Sequence, residues 1–132
     1  MTWTITDELE ALRAQIEASS DLITRCTLDK AGVQPPSGQV HAWLQPPSLT
    51  WDQWSDWDSE YELVLVAGTT ETQEKGSLLM LRAIADLMDS GVNLVSAEPA
   101  GWKLADTTQI VAAYDLKVRV NGPIEKTGEE HG

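Results

Sequence analysis

From Tyr114 to Val120 every second residue is apolar: Tyr114, Leu116, Val118 and Val120 alternate with Asp115, Lys117 and Arg119. A β-strand sends successive side chains to opposite faces, so this run makes a strand with one buried face and one wet face. The pattern predicts a strand over 108–120. A second strand lies at Glu60-Tyr61-Glu62-Leu63-Val64-Leu65-Val66-Ala67-Gly68. It opens with alternation and becomes continuously apolar, as a central strand covered on both faces does. A chain holding these two segments must build a sheet and find cover for it.

Two helices supply that cover. The first is predicted over 6–18, with Thr6 as N-cap and Asp7, Glu8 and Glu10 in the first turn, where the helix dipole favours negative charge. Ile5, Leu9, Leu12 and Ile16 fall on one apolar stripe. The second is predicted over 72–90, with Leu78, Leu81, Ile84, Ala85 and Met88 as its buried face and Gly91 as its C-cap. Shorter strands are expected at 22–28, 40–44 and 92–97, with a further piece at 102–105. Gly32, Pro35, Pro36 and Gly38 mark a loop, and Pro46-Pro47, Pro99 and Gly101 mark breaks. The segment 48–59 shows no convincing period. Two helices on one face of a mostly antiparallel sheet is the natural solution, an α+β fold.

The chain has 132 residues, the size of one domain. The domain is expected over 1–122, followed by an acidic tail at 123–132 that has no apolar anchor and is read as disordered. No run reaches the ~20 apolar residues of a membrane span, so no membrane association is expected. The first eight residues lack the basic start and apolar run of a signal peptide. With 21 acidic and 9 basic residues the net charge is −12, the wrong sign for gripping a phosphate backbone.

Chemistry is sparse. His41 sits in an apolar strand and reads as a structural hydrogen-bonding histidine rather than a base. Cys26 is the one cysteine, and reads as a small buried hydrophobe. His131 lies in the tail, and these three residues have no metal-ligand spacing. Asp56-Trp57-Asp58-Ser59-Glu60 faintly resembles a calcium loop, but the glycine and distal glutamate of such a loop are missing. No catalytic residue, metal or cofactor is expected.

The tryptophans carry more information. There are six, with no phenylalanine, and Trp51, Trp54 and Trp57 recur every third residue among Asp52, Asp56 and Asp58. One helical or 3₁₀ turn would set the three rings on one side. Tryptophan ringed by charge is the composition of a protein interface, so these six residues form the candidate interface. The other readings are a loop folded over the sheet, or a sugar-stacking site.

In element order the chain resembles the small tail terminator proteins of long-tailed (siphovirus-type) bacteriophages, above all the short acidic versions from actinobacteriophages. The likeness covers the helix beginning near residue 6, the proline-interrupted strands, the tryptophan segment before Tyr61-Glu62-Leu63-Val64-Leu65-Val66, the second helix, and the closing strand Ala113–Val120. It implies a structural protein of the virion, not an enzyme. Such a protein forms a hexameric ring on the major tail tube protein, stops tube elongation, and presents the surface that joins the head connector or stopper. DNA would pass only as cargo, eased by acidic groups in the channel. The rival readings are another neck protein, for head completion or stopping, and a small ligand-binding or enzymatic α+β domain.

Overall fold

The computed structural model describes residues 4–53, 56–68, 73–103 and 110–121. Helix α1 (Ile5–Ala18) comes first, then strands β1 (Ile23–Thr27), β2 (Val40–Leu44), β3 (Ser48–Gln53) and β4 (Asp56–Ala67). Helix α2 (Gln73–Asp89) and strands β5 (Leu94–Lys103) and β6 (Ile110–Asn121) complete the order. The six strands form one sheet in the order β1-β2-β4-β6-β5, with β3 also paired to β4. Among the described residues only the β1–β2 pair is parallel. Both helices pack on one face, and the protein is α+β as its patterning predicts.

β4 is the spine. Its second half pairs with β2 through Val40↔Ala67 to Leu44↔Leu63, and its first half pairs with β3 through Ser48↔Glu60 to Trp51↔Trp57. Pro46-Pro47 thus bends one long run into two strands that share a partner, because a proline cannot donate to a ladder. On its other side β4 pairs with β6 from Asp58↔Asn121 to Val66↔Ala113. The segment 48–59, which lacks any helical or strand period, is therefore mostly the two arms of β3 and β4 rather than a helical turn. β5 is likewise one strand of ten residues that runs through Pro99 and Gly101 instead of stopping there. Pro99 is tolerated because β5 is the last strand of the sheet and needs no partner on its outer side.

Side-chain alternation on β4 sorts the core into two layers. Tyr61, Leu63, Leu65 and Ala67 face the helices, where they meet Leu12 and Ile16 of α1 and Met80, Ala83 and Leu87 of α2. Val64 and Val66 face the other way and pack with Val33, Val111 and Ala113. Val33 belongs to the β1–β2 connection, which includes a 3₁₀ turn (Lys30–Gly32) and lies across this second face as a strap. Gly68 marks how close the strap comes. A Cβ there would stand 2.0 Å from the Pro36 carbonyl oxygen, so only glycine fits.

The first helix is capped two residues earlier than its sequence signals indicate. Thr4, not Thr6, is the N-cap, in a capping box in which Asp7 N–H donates to Thr4 Oγ1 at 3.1 Å and Thr4 N–H to Asp7 Oδ2 at 2.9 Å. Gly91, at φ +89°, closes α2 as expected. The phase of α2 differs from expectation. Gly76, Met80, Ala83 and Leu87 are buried, whereas Leu78, Leu81, Ala85 and Met88 are exposed and Ile84 lies between. The two helices are tied at their ends, where Ser20 Oγ donates to Asp86 and Gln15 Nε2 to the Ser90 carbonyl at 2.9 Å.

Candidate functional site

The interface expected at 51–58 divides by strand alternation. Trp51 is exposed on β3, and Asp58 is exposed on β4. Trp57 points the opposite way from Asp58 and is buried, a correction to its reading as a surface anchor. Asp52 belongs to β3 and Asp56 opens β4, while Trp54 lies outside the described residues.

Trp57 has a specific reason to be inside. Its Nε1–H donates to Glu8 Oε1 at 3.1 Å, and the Tyr61 hydroxyl donates to Glu8 Oε2 at 2.6 Å. Glu8 is fully buried although it sits in the first helical turns. One carboxylate thus accepts from two rings on the helix-facing side of β4 and ties α1 to that strand. Burial drives the Tyr61 phenol far above its ordinary pKa, helped by its hydrogen bond to Glu8 and by the charge of that group, so it remains a donor. Ser59 lies between the two rings on the same face with its hydroxyl buried, and its interaction with the Tyr61 oxygen acts the other way on the phenol. This carboxylate was not legible as a core group, since its donors lie 49 and 53 residues away.

His41 is structural, as read. It points into the strap, where its Nδ1 accepts from Gln34 N–H at 3.1 Å. Burial holds its pKa below the ordinary 6.5, the nearby Arg25 charge lowers it further, and a hydrogen bond with the Gly32 backbone acts the other way. A protonated Nδ1 cannot accept, so the strap needs the neutral ring. The unfolded chain therefore binds this proton more readily than the folded one. His41's contribution is full above about pH 6.5 and is lost as pH falls through the lower folded value. The stability difference between wild type and His41→Phe should shrink between about pH 8 and about pH 5 in urea unfolding. A gap that widens on acidification contradicts this assignment.

Lys30 closes the strap from above. Its Nζ lies 5.8 Å from the Trp43 ring centroid and 5.4 Å from that of Trp102, and the two rings meet edge to face at 5.7 Å. Cys26 is buried beneath α1, and burial together with the Glu17 charge pushes its thiol up to about 12. It is an inert hydrophobe rather than a nucleophile. Glu17 also accepts from the Cys26 backbone N–H at 3.0 Å.

A polar cavity of about 380 Å³ is lined by Ser48, Thr50, Asp58, Ser59, Glu60 and Arg119. Glu60 is already matched there by Arg119 at 3.5 Å and by Lys117 at 3.7 Å. These are exposed pairs of little energetic weight. The rest of the lining is the hydroxyls of Ser48, Thr50 and Ser59 and the exposed carboxylate of Asp58. Among the described residues no three His, Cys, Asp or Glu side chains converge.

The remaining conspicuous groups are apolar and outward. Trp51 on β3 and Val95 on β5 are both exposed. β3 lies on the β2 side of β4 and β5 on the β6 side, so these side chains mark opposite edges of the sheet. Exposed apolar groups on two sheet edges serve contact with protein better than chemistry. No protein-family model matches the chain, and no curated protein is significantly similar to it. Among the described residues no helix is long and apolar enough to cross a membrane.

Proposed function

We propose that the protein is a structural component of a long-tailed phage that caps the tail tube as a ring, stops its elongation and forms the joining surface to the head connector. One observation carries the reading beyond the resemblance of element order. Besides the edge at β1, the sheet has free edges on opposite sides at β3, with Trp51, and at β5, with Val95, each carrying an exposed apolar side chain. A ring requires a heterologous contact, in which one patch of a protomer meets a different patch of the next. Unpaired strand edges are the standard means of adding one chain to another. The β3 edge of one protomer against the β5 edge of its neighbour satisfies both needs. The net charge of −12 suits a channel through which DNA passes without sticking.

The test is native mass spectrometry and negative-stain microscopy of the protein mixed with the tube protein of its phage. Rings should form, and Trp51→Asp or Val95→Asp should weaken them about 30-fold, or roughly 2 kcal/mol, while each monomer stays folded by circular dichroism. Rings that tolerate both substitutions, or a mixture without rings, contradict the proposal.

A further inference from the structure

We infer that α2 is a second, separate assembly surface, which docks antiparallel against α2 of a second copy of this chain. Leu78, Leu81 and Met88 are 53%, 46% and 62% exposed, and Ala85 between them is exposed too. The four are spaced three, four and three residues apart, which on a helix is a single straight seam of coiled-coil type. Among the described residues nothing needs a seam there, because the sheet is already covered by Gly76, Met80, Ala83 and Leu87 on the opposite side.

The choice of occupant rests on symmetry and charge. The spacing reads the same in both directions, so an antiparallel partner sets Leu78 against Met88 of the second copy and Leu81 against its Ala85. Large then meets small at the centre, which lets the two axes approach. Along one flank of the seam run Lys75 and Arg82 in the N-terminal half, and Asp86 and Asp89 in the C-terminal half. Antiparallel pairing brings Lys75 beside Asp89 of the second copy and Arg82 beside its Asp86, each offset by about 3 Å, or two residues of helical rise. The two Arg82 groups straddle the axis, each next to an opposing acid. A parallel pair would instead set this flank against the opposite flank of the seam, around Ser77 and Ile84, where it meets no opposing charge, and flanking charge of this kind sets helix orientation. The contact is isologous and closes at two copies, so it is distinct from a head-to-tail ring contact and does not depend on one.

Sedimentation of the full chain over a wide concentration range tests the pairing. A reversible monomer–dimer equilibrium is expected. Leu81→Glu should weaken it by about 30-fold or more without changing the circular dichroism, because Leu81 is exposed in the monomer. Two charge variants give the decisive result. Lys75→Glu makes one end of the flank acidic and Asp89→Lys makes the other end basic, and both leave the Ser20–Asp86 tie in place. Each should dimerise less well alone, and the two should form a heterodimer when mixed. Trp51→Asp should leave the dimer intact, which separates this contact from the ring. A monomer at every concentration, a dimer indifferent to Leu81→Glu, or charge variants that fail to pair on mixing overturns the inference.

Discussion

Replacing Glu8 by alanine should destabilise the fold by about 3–5 kcal/mol, since two buried donors lose their acceptor at about 1–3 kcal/mol each. The donors are Trp57 Nε1–H and the Tyr61 hydroxyl, both on the helix-facing side of β4. Neither group can turn to water, because Trp57, Tyr61 and Glu8 are all buried. Glu8→Gln keeps one acceptor oxygen and similar volume, and should cost clearly less than alanine. Tyr61→Phe removes one donor and should cost about 1–3 kcal/mol. The double substitution Glu8→Ala/Tyr61→Phe should then cost less than the sum of its parts, because the second change removes a donor that the first had stranded. Urea unfolding of the four variants supplies the cycle. Strict additivity would show that the carboxylate and the phenol do not act as a unit.

Two leucines on α2 should respond in opposite ways. Leu87→Ala should cost about 2–5 kcal/mol, the loss expected when a fully buried leucine leaves a cavity, and Leu116→Ala on β6 should match it. Leu81→Ala should change monomer stability by less than about 0.5 kcal/mol, as exposed substitutions do. Unfolding midpoints in urea, taken at a concentration where the chain is monomeric, decide the matter. Equal losses at both leucines would mean that α2 presents a different face to the sheet.

This contrast also shows why periodicity misjudges α2. Its sequence holds two apolar stripes, and the bulkier one contains Leu78, Leu81 and Met88. A reading by hydrophobicity turns that stripe inward. The sheet instead receives Gly76 and Ala83 beside Met80 and Leu87. Small residues are the ones that let a helix lie close to a sheet, and their contribution comes from proximity rather than from apolar area. β6 and β4 were readable because a period of two depends only on the chain itself. The continuous apolar run Leu63–Ala67 signals cover on both faces, although the strap that covers the second face carries no signal beyond its prolines and glycines.

The tryptophan segment fails as a single unit for a related reason. A repeat of three suits a helical turn, but the chain here forms a hairpin, in which Trp51 and Trp57 are cross-strand partners. One stays outside and the other goes inside, and what draws Trp57 inward is Glu8, a residue far away in sequence. A buried carboxylate is costly unless its partners are in place, and local sequence carries no trace of them. His41 was easier, because an apolar strand leaves a histidine few roles other than a structural hydrogen bond.

Three surfaces remain for assembly: the β3 edge, the β5 edge and the α2 seam. The proposed role requires the two edges to act at the end of a tube. The most direct measurement is the length of tail tubes grown from purified tube protein, imaged by electron microscopy with and without this protein. The account predicts that tubes stop growing in its presence and carry a ring of density at one end. Tubes that lengthen equally in both mixtures, with bare ends, would contradict it.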